Sequence, residues 1–315
     1  MKNTFLLSFL LISCIFAFAQ DKTISKSFSN IKNIRLSTGS GDINLKKATG
    51  SDVKLTLKYS YADDEFTPVI EESSGRLILK EEFSRGSHSG RSSWSLEVPD
   101  NLRISINTGS GDLTIDNIST DIKSNSGSGN VMLTGVSGVL DFNTGSGDLE
   151  LEAVGGDVSI NVGSGTIRAT NGTGNYSFNA GSGNIRVGQL KGDFSMNVGS
   201  GSIQAKGLSF TGSSSFNSGS GDATVTLAGP LDHNISVNSG SGNATLNFSG
   251  NAISGEVVMT ANKKGGNIVA PFNFDKEEVI DDNHSQERIQ KTAKLGAKNI
   301  VIKVGTGSGT AEIAK

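Results

Sequence analysis

The triplet Gly-Ser-Gly occurs ten times, beginning at Gly39, Gly109, Gly127, Gly145, Gly163, Gly181, Gly199, Gly219, Gly240 and Gly307. The residue after each copy is Asp42, Asp112, Asn130, Asp148, Thr166, Asn184, Ser202, Asp222, Asn243 or Thr310. Carboxylates at glycine-rich corners would hold calcium if oxygens from successive turns converged on one ion. Calcium-binding nonapeptide repeats follow G-G-x-G-x-D. Here the acid follows the last glycine directly, and Asn, Thr or Ser replaces it in six of the ten copies. Hydrogen bonding of these side chains at the corner is therefore the expected role. No metal ligands are assigned and no cofactor is expected; calcium is the one ion with any claim. A second set is Asp148, Glu150 and Glu152 beside Arg168 and Arg186. Clustered carboxylates with a basic neighbour are what a polysaccharide-cleaving enzyme would need. Because Glu150, Arg168 and Arg186 recur at the same spacing as the triplets, ion pairing on a solvated face explains them more simply, and no catalytic residue is assigned. His88, His233 and His284 lie in different regions without metal-ligand spacing.

The residues two before the triplets are more regular. Asn107, Asn125, Asn143, Asn161, Asn179, Asn197, Asn217 and Asn238 form an unbroken series. Two residues earlier stand Ser105, Ser159, Ser177, Ser195, Ser215 and Ser236, interrupted by Lys123 and Asp141. Stacked identical amides can hydrogen-bond to one another and stabilise the fold. Alternatively, a flat Ser/Asn face would bind a repetitive ligand such as a glycan or ice. The eight asparagines are the candidate binding residues.

What positions them is an 18-residue ruler. From Gly109 to Gly199 the triplet recurs at this one constant step, five times running, and then at slightly longer steps to Gly219 and Gly240. Before each triplet apolar or small residues alternate with polar ones, as in Leu140/Phe142/Thr144 and Val158/Ile160/Val162; after it, Leu149/Leu151 and Ile167/Ala169 do the same. Period-two alternation on both sides of a turn means two short strands, each with one buried face. A further apolar residue marks the second turn at Ile118, Val136, Val154, Leu190 and Leu208, with Gly172 the exception. Strand, turn, strand and turn within one such step bring the chain back one layer up. The fold class expected is all-β: a parallel β-solenoid (β-helix) with about 18 residues per coil, capped ends, and a rod of roughly 40 Å for the eight central triplets. The triplet is expected to supply positive-φ corners.

Composition agrees with a folded, polar chain. The 315 residues include 41 Gly but only 4 Pro and 1 Cys, with 35% hydrophobic and 19% charged residues. Collagen needs abundant proline and a three-residue glycine period, and disordered chains are usually far more charged. A net charge of −3 argues against a nucleic-acid partner, and one cysteine excludes a disulfide framework. Residues 1–19 read as a signal peptide: Lys2, the apolar run Phe5 to Phe16, and Ala17-Phe18-Ala19 as cleavage site. Cys14 lies in a lipobox-like setting, but the apolar residues after it favour ordinary cleavage. Residues 20–315 then form one domain: 59–98 as inserted strands and loop capping the N-terminal end, 109–250 as regular coils, and 261–315 as C-terminal cap and last coil. Arg76 to Lys80, Ser93 to Val98 and Asn299 to Val304 read as strands, and Glu287 to Leu295 as a short helix.

The run Leu96-Glu97-Val98-Pro99-Asp100-Asn101-Leu102-Arg103-Ile104, leading into Thr108-Gly109-Ser110-Gly111-Asp112-Leu113, and the repeated triplet followed by Asp or Asn resemble the putative-adhesin family of exported bacterial β-solenoid proteins, the head-domain adhesin-like type of Bacteroidetes. The resemblance covers roughly residues 28 to 315. It implies the fold and an adhesive role, and it brings no catalytic motif. The expected function is that of a non-catalytic exported cell-envelope protein, adhesin-like or scaffolding, in the periplasm, at the cell surface or outside the cell. The alternative is a polysaccharide-binding or polysaccharide-cleaving β-helix protein. Expected partners are a glycan or another surface protein; no segment after the leader is long and apolar enough to span a membrane.

Overall fold

A computed structural model describes residues 21–86, 88–281 and 287–315. The expected signal peptide (residues 1–19), with Cys14, and His284 lie outside the described residues. Twenty-nine strands and no helix make up the described chain, an all-β, solenoid-like fold. Strands that lead into successive triplets pair in parallel with equivalent residues opposite each other: Asn125 with Asn107 and Asn143, Asn161 with Asn179, Ser195 with Ser215. Strands that follow the triplets do likewise, Glu150 opposite Arg168 and Arg168 opposite Arg186. We call these the pre-triplet and post-triplet sheets.

Alternation decides which side chains meet between the sheets. In the pre-triplet strand Gly155–Ser164, Val158, Ile160 and Val162 are buried while Asp157, Ser159 and Asn161 face outward. The post-triplet strand Ile167–Thr170 contributes Ile167 and Ala169. The second-turn residues Ile118, Val136, Val154, Leu190 and Leu208 are all buried. Burial of each large apolar side chain contributes about 1.5–3 kcal/mol before conformational entropy is subtracted. Gly172 departs from this series because Tyr176 occupies the space. A Cβ on Gly172 would lie 2.3 Å from the Tyr176 hydroxyl, which donates a 2.7 Å hydrogen bond to the Val154 carbonyl. Burial pushes the Tyr176 phenol up to about 12.

The glycines act differently from expectation. Among the triplet glycines only Gly129, Gly147 and Gly165 have positive φ. What the others require is room: a Cβ on Gly183 would stand 1.6 Å from the Gly165 carbonyl oxygen of the layer below. Left-handed backbone instead recurs at the second turn, at Asn117, Gly135, Ala153, Asn171, Gln189 and Gly207, with φ of 54–64°.

At both ends the spatial order departs from chain order. In the pre-triplet sheet Asn33–Thr38 lies between Arg76–Phe83 and Arg103–Thr108, and antiparallel Phe66–Ser73 forms the outer edge. At the other end Val301–Thr306 lies between Ile235–Ser239 and Gly255–Asn262, beyond which Glu287–Leu295 and Lys276–Asp281 add antiparallel strands. Glu287 to Leu295 is thus a strand and not a helix: Ile289 and Lys291 sit opposite Ala261 and Met259, and pairing along its whole length overrides its helix-like composition. Arg76–Phe83, Ser92–Val98 and Val301–Thr306 are strands, as their patterns indicate.

Candidate functional site

The eight asparagines stand in one column on the outward side of the pre-triplet sheet and are half-buried or exposed. From Asn125 onward each amide donates from Nδ2 to Oδ1 of the asparagine in the layer before it. Asn125 donates to Asn107 at 3.2 Å, Asn143 to Asn125 at 3.3 Å, Asn161 to Asn143 at 2.9 Å and Asn179 to Asn161 at 3.0 Å. Asn197, Asn217 and Asn238 continue the series at 3.0, 2.9 and 2.9 Å. Seven bonds therefore join all eight amides, all pointing the same way. The series stops where Gly305 replaces the next asparagine.

Open grooves flank this ladder. On the triplet side the groove is about 840 Å³, lined by the asparagines and by glycines such as Gly163 and Gly181. On the other side it is about 950 Å³, with Ser159, Ser177, Ser195 and Ser215 along it and Asp157 and Asp193 on the far wall. Those four serine hydroxyls carry no hydrogen bond among the described residues. The far wall is tied together by Asn175 donating to Asp157 and Thr211 to Asp193, both at 2.7 Å.

The corner acids form a second column. Backbone N–H groups of Asp112, Asn130, Asp148 and Thr166 donate to the side-chain oxygens of Asp42, Asp112, Asn130 and Asp148 at 2.7–3.1 Å. The series resumes from Asn184 through Ser202, Asp222 and Asn243 to Thr310. These oxygens point along the axis into the next layer's backbone. The Thr166 N–H and the Arg168 guanidinium, 2.9 Å away, hold the Asp148 carboxyl below its usual range. Glu150, Arg168 and Arg186 do lie in one outward column, yet Arg168 pairs with Asp148 and not with Glu150. Asn171 and Thr170 donate to Glu152 and lower it as well. A general acid for glycoside chemistry needs a raised carboxyl. His88 lies in a loop with its ring stacked on Phe83, and His233 in another loop; they do not meet.

Glu81, which the sequence presents only as part of an acidic pair, is buried at the N-terminal end. Its Oε2 accepts the Gly39 N–H at 2.7 Å, and its Oε1 accepts the Trp94 indole N–H at 2.9 Å and the Ser92 hydroxyl. In the next layer the equivalent glycine donates to the chain instead, Gly109 N–H to the Thr38 carbonyl. The carboxylate thus replaces the backbone acceptor that a preceding layer's chain supplies to the later triplets. A signal was available: Gly39 has no triplet before it, so its N–H needed some other acceptor.

Residues 31–270 match the family model described as Toastrack DUF4097. Three solved structures are similar over nearly the whole chain. One from Clostridium sporogenes, called a "putative cell adhesion protein", is 15% identical with a TM-score of 0.25, covering 94% of this chain and 99% of its own. A "putative lipid binding protein" from Parabacteroides distasonis is 15% identical with a TM-score of 0.35, covering 94% and 96%. A "putative adhesin" from Bacteroides fragilis is 13% identical with a TM-score of 0.30, covering 94% and 98%. No curated protein matches the chain. No helix among the described residues is long and apolar enough to cross a membrane.

Proposed function

The chain belongs to the Toastrack DUF4097 family, and from that premise we propose that it is a non-catalytic, exported cell-envelope protein acting as an adhesin-like or scaffolding module. In this reading it is a parallel β-solenoid of 18-residue coils, capped at both ends, that works by presenting long polar faces. The observation that carries it is the ladder joining Asn107 to Asn238. Amides locked to one another hold their positions along the axis, so a partner meets a preorganised surface and less side-chain entropy is lost on contact. A glycan or another surface protein is the matching class of partner, and the eight asparagines with the grooves beside them are the contact surface.

Antiparallel strands over both ends support the capped-rod reading, because a bare solenoid end exposes unpaired edges. The leader at residues 1–19 supports export to the periplasm, the surface or the medium. Cleavage of a polysaccharide is the competing reading, and against it stand the ties of Asp148 to Arg168 and of Glu152 to Asn171 and Thr170, which engage both carboxylates on this face. The test has two arms. The purified mature protein is screened on a glycan array and for hydrolysis, with and without calcium, and a deletion strain is scored for surface attachment and envelope integrity. Binding without product release, together with a defect in the strain, is expected. Released product, or a strain indistinguishable from its parent, overturns the proposal.

A further inference from the structure

Arg35, Arg76 and Arg103 project from three adjoining strands of the pre-triplet sheet near its N-terminal end. Arg76 and Arg103 flank Asn33 in register, about 9.5 Å apart by strand spacing. Arg35 stands two residues along the strand between them. All three are exposed, on the opposite side from the buried Ile34, Leu77 and Ile104. With Lys123 they line a groove of about 880 Å³.

None of the three arginines takes part in any of the twelve ion pairs among the described residues. Of the nearby acids, two are engaged and one lies a strand further out on the same face. Asp141 pairs with Lys123 at 3.2 Å. Asp121, in register with Arg103, accepts the Val139 N–H at 3.2 Å in the next layer. Glu71 stands on the outermost strand, opposite Ile78. Unpaired like charges side by side are unfavourable unless an anion joins them, and guanidinium forks suit carboxylate, sulfate or phosphate.

The groove does not end at the arginines. Val139 and Asp141 line both it and the serine groove, so one channel runs along the axis from three cations to the four unpartnered hydroxyls of Ser159, Ser177, Ser195 and Ser215. A ligand filling this channel carries an anion at one end and many hydroxyls along the rest. A nucleic acid fits poorly, since Asp157 and Asp193 would face its phosphates and Tyr176 and Phe194 are buried beneath the groove, where they cannot stack on bases. A lipid headgroup would use the arginines but leave the serines unoccupied.

We propose that this channel binds a linear acidic oligosaccharide, with a carboxylate or sulfate group held by Arg35, Arg76 and Arg103 and neutral sugar hydroxyls on the serine row. The inference rests on the reading of the protein as a binding module and gives that module its ligand class. The test is calorimetric titration of the mature protein with a cello-oligosaccharide carrying a single terminal glucuronate, with a neutral cello-oligosaccharide of equal length, and with vesicles containing anionic phospholipid. Wild type is compared with the triple variant Arg35→Gln/Arg76→Gln/Arg103→Gln and with Ser177→Val. Each lost charge-assisted contact weakens binding about tenfold, so the triple variant loses about a thousandfold. Ser177→Val loses a few-fold for both sugars, and raising salt weakens the acidic ligand only. An unchanged thermal midpoint establishes that the variants fold. Equal affinity for neutral and acidic sugars, acidic binding that survives the triple variant, or arginine-dependent binding of vesicles but not of sugars each overturns the proposal. A failure to bind any sugar while the deletion strain still loses attachment overturns the ligand class and leaves the adhesin-like reading standing.

Discussion

Replacing Gly183 by alanine tests the central claim about the triplets, that they allow the backbone of one layer to lie against the next. The new Cβ would stand 1.6 Å from the Gly165 oxygen and 2.7 Å from its carbonyl carbon. Both neighbours are backbone, so no side chain can rotate away. Relief requires the corner to lift by more than about 1 Å, roughly the shortfall from van der Waals contact. That movement strains the bonds bracketing the corner, from Ser182 N–H to the Gly163 carbonyl at 2.9 Å and from Ile185 N–H to the Ser202 carbonyl at 3.0 Å. Overpacking costs about 1–3 kcal/mol and each backbone bond left unmade about 1–3 kcal/mol more. The expected loss is therefore about 3–9 kcal/mol, or a fall in Tm of roughly 5–15 °C. Gly229 is the internal control, because nothing lies within 4 Å of its Cβ position and its φ is not positive. Alanine there stabilises by about 0.4–1 kcal/mol through the unfolded state. Urea unfolding followed by circular dichroism measures both variants. If Gly183→Ala falls within about 1 kcal/mol of Gly229→Ala, the close-approach account of the triplets is wrong.

Three further outcomes are expected. Ser124 is 1% exposed, sits between Ile106 and Phe142 in the core column, and has a hydroxyl with no partner; Ser124→Val raises stability by about 1 kcal/mol in the same assay, and a loss instead would mean that the hydroxyl is satisfied. Glu81→Gln cannot accept from Gly39, Ser92 and Trp94 together, because its amide nitrogen must face a donor; it destabilises the N-terminal end by about 2–3 kcal/mol, read from the fluorescence of Trp94, the only tryptophan, and an unchanged unfolding curve counts against the capping role. Asp148 is lowered by the Thr166 N–H and then by Arg168, so its stabilisation is complete above the ordinary carboxylate pKa and is lost as pH falls through the lower folded value; Asp148→Asn is accordingly less stable than wild type at neutral pH, the gap closes in acid, and a gap independent of pH refutes the assignment.

Much of the architecture can be read from residue spacing because a repeat multiplies weak signals. One alternation such as Val158/Ile160/Val162 is ambiguous, but its recurrence at Tyr176/Phe178/Ala180 and Phe194/Met196/Val198 fixes which residues face inward. The asparagine column was legible for the same reason. The left-handed turn was not, because Asn117, Gly135, Ala153, Asn171, Gln189 and Gly207 share a conformation without sharing a residue type. Asparagine and glycine accept that conformation at little cost, whereas Ala153 and Gln189 adopt it at a cost of about 1 kcal/mol that the layers on either side offset. Hydrogen bonds across the turn hold it there: Ala153 N–H donates to the Thr170 carbonyl and Gln189 N–H to the Lys206 carbonyl, both at 2.9 Å. The arginine cluster was equally hidden, since Arg35, Arg76 and Arg103 come together only through pairing between distant strands.

The ends follow from the long gaps in the ruler. The step from Gly39 to Gly109 and the step from Gly240 to Gly307 each exceed three of the 18-residue triplet steps. Read along the chain, each gap looks like a break in the array. Yet Ser37 lies directly opposite Asn107, and Asn238 directly opposite Gly305, so each gap is an excursion between adjacent layers. In the pre-triplet sheet the excursions carry the outermost strands, Phe66–Ser73 at one end and Lys276–Asp281 at the other, both antiparallel to their neighbours. A terminal layer added in chain order would leave a parallel edge in register with any second copy of the array. Reversing strand direction and placing Pro68 with Glu71 and Glu72 on the outer strand removes that template. The same excursion places Arg76 beside Asn33, one strand from Arg35, so the segment that reverses the edge of this sheet also assembles the cations of the proposed acidic-sugar channel.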